Sequence, residues 1–308
     1  QRMARFLIRR LVHAVIVLAA AVFLVFSMMF LSGDPALLLV PPDASAADIA
    51  AFRTEMGFDK PFLVQFAAFA GRLIVGDFGQ SWRFQDSAFS IVVERLPATI
   101  ELAVAALVLS LAIAIPIGVL SAVRKDTKVD TVSMILALFG QSIPGFWLGL
   151  MLILVFAVDL GWLPTSGRQG LQYLILPAAC LGLALAGRNA RLVRSCMLEV
   201  LKEDYIRTAR AKGLSEWRVI NKHALKNALL PFVTIVGLEL GSLLGGAVIT
   251  ETVFSWPGIG LLAVQSISGR DYPVVQAVII ISALGFVLIN LLVDVLYPWL
   301  DPRISLVR

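Results

Sequence analysis

The sequence predicts an all-α polytopic membrane protein with six transmembrane helices, and three observations carry that prediction. Hydrophobic residues make up 59% of the chain and charged residues 15%, against about 25% charged in a soluble domain, and the mean hydropathy is +0.88. The apolar residues gather into six blocks long enough to cross a bilayer. Lys and Arg gather in alternate gaps between those blocks, which is an orientation signal.

A helix needs about 20 apolar residues to cross about 30 Å of hydrocarbon. The six blocks are Leu11–Leu31, Ala98–Val123, Val132–Val158, Tyr173–Val193, Leu229–Val253 and Val274–Tyr297. Of the 26 Lys and Arg, 19 lie in the N-terminal tail, 124–131, 188–228 and the C-terminal tail, and 7 lie in the other gaps. The positive-inside rule places both termini and those two gaps in the cytoplasm. Six crossings put both termini on one side, which agrees. The chain then reads as a tail and first helix (1–31), an outer, periplasmic segment (32–97), and a core (98–308) with five further spans. That core includes a cytoplasmic loop at 194–228 and a periplasmic loop at 254–273. The first block has the basic head and apolar body of a signal peptide, but its length and the lack of a clear small-residue cleavage site favour a retained helix.

The net charge of +5 does not indicate nucleic acid. The basic residues occupy the gaps, and no basic and aromatic platform is present. Cys180 and Cys196 read as two reduced, inert thiols. His13 and His223 have no ligand-spaced carboxylate or thiol, which leaves no metal site.

In the outer segment, Ser32-Gly33-Asp34-Pro35 and Pro41-Pro42-Asp43 are turn chemistry. Asp48–Met56 has helix composition. Phe62, Phe66, Phe69, Leu73 and Ile74 recur at helical spacing as one apolar face. That face either lies on the outer leaflet or packs on the bundle. In the second outer loop, Gly and Pro bracket Ser255–Gly260 and Gly269–Pro273. This loop can dip toward the bundle only where protein or water covers its backbone.

No enzyme motif is present. A phosphate-binding G-x-x-x-x-G-K-[ST] loop is excluded because Gly-Lys never occurs in the chain. There is no H-E-x-x-H, and Gly79-Gln80-Ser81 lacks the second glycine of a nucleophile elbow, because Arg83 stands there. Uphill movement of a solute would draw on a partner or an ion gradient. Ionisable residues inside spans cost roughly 2.5–3.5 kcal/mol on insertion scales and mark pathways. Glu239, Ser242 and Asn290 are the polar candidates for a translocation path. Glu239 must face a cavity or partner or be protonated; a hydrogen bond to a neighbouring helix is the alternative. Glu101, Glu251 and Asp294 lie nearer span ends, where they can snorkel. Gly237, Gly241, Gly245 and Gly246 let helices approach closely.

The longest polar stretch is Glu199–Pro231. Residues 197–212 read as a helix with Met197, Leu201, Tyr205 and Thr208-Ala209 on one side and a Glu203–Arg207 pair at i, i+4. Gly213 is a C-terminal stop. Ser215 is placed to cap a second helix, with Leu214 and Val219 as a hydrophobic staple and Glu216 in its first turn. That second helix runs through Trp217, Ile220 and Leu225 toward Pro231. Helix, glycine corner, helix is a shape suited to docking in a partner's groove.

The stretches Asp204–Leu214 (DYIRTARAKGL) and His223–Pro231 (HALKNALLP) resemble the cytoplasmic loop of permease subunits of binding-protein-dependent ATP-binding-cassette importers, dipeptide, oligopeptide and nickel branch. The wider superfamily pattern, aligned on Gly213, falls on Arg207, Thr208, Ala209, Gly213, His223, Leu225 and Lys226, and only Ala209, Gly213 and Leu225 match it. Further blocks in order extend the resemblance along nearly the whole chain: Gly57–Pro61, Gly76–Gly79, Leu176–Ala178, Thr250–Phe254, Trp256–Gly260, Asp271–Pro273 and Leu300–Arg303. The resemblance implies a bacterial inner-membrane permease that pairs with a second homologous permease subunit within membrane lipid. It implies two cytoplasmic ATPases that hold ATP and Mg, so this chain carries no cofactor, and an extracytoplasmic substrate-binding protein. It implies a coupling helix at about Leu214–Lys222, with Ala209, Gly213, Leu214, Ser215, Glu216, Trp217, Arg218 and Val219 as the ATPase-coupling residues. Substrates of the branch include di- and oligopeptides, glutathione and nickel complexes, and no residue here selects among them. The branch more usually has an uncharged polar residue at the position of Glu239, so no family role carries over there. A self-contained secondary transporter or channel is the other reading; it lacks the internal repeat and the dense set of paired span charges it would need.

Overall fold

The structure, a computed structural model, describes residues 2–31, 45–245 and 247–300, with the side chains of 2–7, 56 and 296–300 outside that description. The turns predicted at 32–35 and 41–43, Gly246 and the block at 301–303 lie outside it. The described residues are helical almost throughout. The helices are α1 (Arg2–Leu31), α2 (Ala46–Met56), α3 (Phe62–Ile74), α4 (Ala88–Val123), α5 (Lys128–Ser142), α6 (Gly145–Asp159), α7 (Leu171–Val200), α8 (Asp204–Ala211), α9 (Glu216–Leu244), α10 (Val248–Val253), α11 (Ile259–Ser268) and α12 (Tyr272–Leu300). They divide into two compact units, one of Gln1–Leu96 with Leu262–Leu284 and one of Pro97–Leu261 with Gly285–Arg308.

Among the described residues, five helices are long and apolar enough to cross a membrane, and six spans are reached when the bent pair α5–α6 counts as one. The third predicted block, Val132–Val158, is therefore corrected from one helix to two, which meet at 96°. Pro144 is the cause. It holds Ile143 in extended backbone, φ −75° and ψ 126°, and so stops α5 at Ser142. The fifth block is also shorter than predicted. α9 ends at Leu244, and Val248–Val253 forms the separate α10, because two successive glycines are poor helix formers.

In the first unit, α2 starts at a capping box: the Ser45 hydroxyl accepts from the Asp48 N–H at 3.2 Å while the Asp48 carboxylate accepts from the Ser45 N–H at 3.1 Å. The Ser45 side chain and backbone hold the Asp48 carboxyl below its ordinary pKa. Gly57, at φ +71°, ends the helix. The phenylalanines of α3 pack on α1. Phe26 stacks on Phe69 at 5.4 Å, and Phe23 and Phe30 meet Phe62 edge-on. Leu73 joins that cluster, whereas Ile74 is 87% exposed and leaves the predicted face. The loop before α4 is pinned to the start of α12. Buried Asp271 accepts from the Ser81 hydroxyl at 2.5 Å and the Trp82 N–H at 3.2 Å.

In the second unit, small residues set the helix spacing. A Cβ built on Gly187 of α7 would lie 2.2 Å from the carbonyl oxygen of Ala137 on α5, and one on Gly237 of α9 would lie 2.1 Å from Val293 of α12. The loop after α10 folds inward. Trp256 is fully buried and donates its indole N–H to the Ala98 carbonyl at 2.8 Å. Glu251, predicted to snorkel, is instead fully buried. Its carboxylate accepts from the Thr99 hydroxyl at 2.8 Å and the Leu261 N–H at 3.0 Å, so it satisfies backbone that an inward loop would otherwise leave without partners.

These close approaches make a prediction. Gly187→Ala should destabilise the protein by about 1–3 kcal/mol, read as a lower midpoint in thermal unfolding of the detergent-purified protein. Gly71→Ala, where a Cβ meets nothing within 4 Å, should leave that midpoint unchanged or raise it slightly.

Candidate functional site

The polar stretch after α7 is built as two arms and a corner. α7 ends at Val200, and residues 201–203 turn the chain before α8. This corrects the single helix predicted for 197–212. Glu203 takes extended backbone, φ −67° and ψ 145°, as the N-cap of α8. The turn rotates the next face inward, so Ile206 is fully buried and Tyr205 is 41% exposed. Arg207 pairs with Asp204 at 3.3 Å rather than with Glu203.

Gly213 forms the corner at φ +75°, with its N–H bonded to the Arg210 carbonyl at 2.9 Å. Ser215 stands at the N-cap of α9 as predicted, but its hydroxyl makes no cap bond. Its carbonyl accepts from the N–H groups of Arg218 and Val219 at 2.9 and 3.0 Å. Glu216 reaches back across the corner to Arg210 at 2.8 Å, and Asn227 donates to the Tyr205 hydroxyl at 3.1 Å. These two contacts tie α8 to α9. The helix predicted to run toward Pro231 joins the fifth span without a break and continues to Leu244. It holds a π-helical stretch at Val219–Ala224.

The eight coupling candidates sort by exposure. Ala209 and Val219 are buried in one apolar cluster with Met197, Ile206, Ala224 and Phe232, and Leu214 packs against it. The staple partners Leu214 and Val219 thus share that cluster. Gly213, Ser215, Glu216, Trp217 and Arg218 face outward, and Trp217 is 75% exposed. Trp217 is thus a large aromatic held out on a buried footing, and aromatics are enriched among the residues that anchor protein interfaces.

Farther along α9, Glu239 is 5% exposed. One carboxylate oxygen accepts from Arg188 at 2.7 Å, the other from the Asn189 amide at 2.9 Å, and that amide also reaches the Ser110 hydroxyl at 3.0 Å. The group joins α4, α7 and α9. Burying a carboxylate costs several kcal/mol unless it is paired and hydrogen-bonded, and these contacts supply the partners. The structure thus gives Glu239 hydrogen bonds to a neighbouring helix. Ser242 is exposed. The Asn290 side-chain oxygen is buried without a partner among the described residues. Among the described residues, no hydrogen bond joins Glu239, Ser242 and Asn290 to one another.

Sequence reading missed Arg188 and Asn189 because they fell in the basic gap and were counted only for orientation. It also missed Asp130, which accepts both Nε and Nη2 of Arg194 at 2.7 Å. The signal lay in α7 itself, where Arg188, Arg191 and Arg194 repeat every three residues.

Residues 114–306 match the model of the family described as binding-protein-dependent transport system inner membrane component, and residues 3–103 match the N-terminal model of the same system. The chain belongs to this family. It is the permease component of a binding-protein-dependent ATP-binding-cassette importer, a transport subunit whose ATP is hydrolysed by separate ATPase chains. The permease is 43% identical over 303 residues to the glutathione transport system permease protein GsiC of Salmonella choleraesuis (strain SC-B67), covering 98% of this chain and 99% of that one. GsiC of Escherichia coli (strain K12) matches with the same identity and coverage. Among solved structures, a chain of the inward facing MetNI methionine ABC transporter aligns with a TM-score of 0.59 and 22% identity, over 68% of this permease and 96% of that chain. An amino acid ABC transporter with histidines aligns at 0.54 and 14%. These two likenesses concern the fold.

The corner of the permease is open to a direct test. Nothing lies within 4 Å of a Cβ built on Gly213, so Gly213→Ala should cost only the backbone term, about 1 kcal/mol. A double-mutant cycle on Arg210 and Glu216 should return a coupling of about 0.2–1 kcal/mol. Both are read from thermal unfolding midpoints, and a steric-size loss at Gly213 would contradict the open corner.

Proposed function

We propose that this permease pairs with a second homologous permease to enclose a path for glutathione or a short peptide. The observation that carries the cargo class is 43% identity to glutathione permeases over 98% of the chain. Both termini, the α5 start and the corner lie in the cytoplasm on this reading, supported by the 19 to 7 distribution of Lys and Arg. Residues 32–97 and 254–273 then face the periplasm, where an extracytoplasmic binding protein delivers the cargo.

The corner is where the motor acts. Two cytoplasmic ATPases, which hold ATP and Mg in their own sites, grip Leu214–Lys222 on each permease. Gly213, Ser215, Glu216, Trp217 and Arg218 form the contact surface, while Ala209, Leu214 and Val219 fix it to the bundle. Movement of the corner reaches the membrane directly, because Trp217 and Glu239 belong to one helix.

The test is ATP-dependent uptake of glutathione or a tripeptide by the complete importer in proteoliposomes. Trp217→Ala should weaken assembly with the ATPase by about 2 kcal/mol or roughly thirtyfold, and uptake should fall with it. Deleting Ser215–Lys222 should abolish ATPase co-purification. Uptake driven by a proton gradient in the permease alone would overturn the reading.

A further inference from the structure

Arg188 carries a charge farther into the apolar part of the bundle than the coupling role requires. It lies 5 residues inside the predicted span end at Val193, or roughly 8 Å at the helical rise. Its partner Glu239 lies 10 residues beyond the predicted span start at Leu229, or roughly 15 Å. Both distances reach inside about 30 Å of hydrocarbon. At that depth the Glu239 side chain is 5% exposed, but the Arg188 side chain is 53% exposed.

An arginine half-exposed at such a depth is not stable against lipid tails; it must face water or protein. That assigns the Arg188 face of α7 to a cavity or a subunit seam. Only its Nη2 is engaged, with Glu239; its other guanidinium N–H groups have no partner among the described residues. The guanidinium does not swing freely, because Glu239 is itself held by Asn189, which is bonded to Ser110. Three residues on, Arg191 bonds Gln141 through Nη2 and keeps a buried Nε without a partner. The next arginine, Arg194, gives both Nε and Nη2 to Asp130. Arg188 and Arg191 each engage one guanidinium nitrogen among the described residues, and so keep more free donors than Arg194.

A fixed guanidinium with free N–H groups is a carboxylate receptor, since the planar fork matches two carboxylate oxygens. Glutathione and peptides both carry such a group. We propose that Arg188 is a carboxylate contact for the cargo on the translocation path, with Glu239 and Asn189 as its positioning residues. This rests on the peptide-like cargo argued above. Neutralisation by Glu239 also suits transport: it keeps the site from holding an anion too tightly to release.

The complete importer in proteoliposomes provides the test, with a tripeptide and its C-terminal amide each supplied on saturated binding protein. Arg188→Gln should lower acid uptake roughly tenfold, the size of one lost charge-assisted hydrogen bond. It should lower amide uptake less than acid uptake, because the loss of the pairing with buried Glu239 falls on both probes alike. Arg188→Lys keeps the pairing with Glu239 but not the fork, and should assemble normally while losing part of the acid-over-amide preference. Equal loss of acid and amide uptake in both variants, or no loss in either, overturns the inference and leaves the cargo class standing. A wild-type importer that takes up neither probe overturns the cargo class itself, and the inference with it.

Discussion

Hydrocarbon offers no hydrogen bonds, so every acid that enters it needs a partner from within the protein. The second unit is assembled around such partners. Glu239 joins α9 to α7 and, through Asn189 and Ser110, to α4. Asp130, in the gap 124–131 beside the spans, is buried in the same way: it joins α5 to α7 through Arg194 and also accepts from Ser121 of α4. Glu251 binds α10 to Thr99 of α4 and to the first turn of α11. Glu101 pairs with Arg168 at 2.6 Å, and that guanidinium lies 5.8 Å from the Trp256 ring. Each acid costs free energy alone, and each therefore specifies which helix stands beside which.

The same helices extend beyond the hydrocarbon as a lever. α7 leads into the corner and α9 leads out of it, and the apolar cluster of Val193, Met197, Ile206, Ala209 and Val219 locks the two together below the spans. A force on Trp217 has little to compress before it reaches Glu239, because protein interiors are close-packed. The π-helical stretch at Val219–Ala224 and Pro231 are irregularities between them, and π-bulges of this kind recur at functional sites. In the proposed function, coupling and path thus meet on one helix.

Much of this was legible in the sequence because its causes are local. The spans follow from apolar length, the corner from Gly213, and the outer helices from the composition of Asp48–Met56 and from the phenylalanine spacing. What was not legible depended on residues far apart in sequence. Arg188 and Glu239 are 51 positions apart, and no local pattern pairs them. Glu251 read as a residue free to snorkel because Thr99, 152 positions away, is visible only once the loop folds inward. The break at Leu201–Glu203 was missed because those residues all tolerate helix, and the tertiary demand to bury Ile206 overrode that preference. The bend at Pro144 was a readable local signal; the apolar run on both sides concealed it.

In the proposed function, the exposed tip of the corner is the surface the ATPase grips. Both cysteines, Cys180 and Cys196, are buried, so a single cysteine introduced at the surface reports its own neighbours. Trp217→Cys in the complete importer, treated with a short thiol-to-amine cross-linker, should yield a permease–ATPase adduct. The same treatment of Leu63→Cys, 71% exposed on α3 against 75% for Trp217, should yield none. Absence of the adduct at 217, or equal adducts at both positions, would contradict the claim that this corner transmits the work of ATP into the membrane.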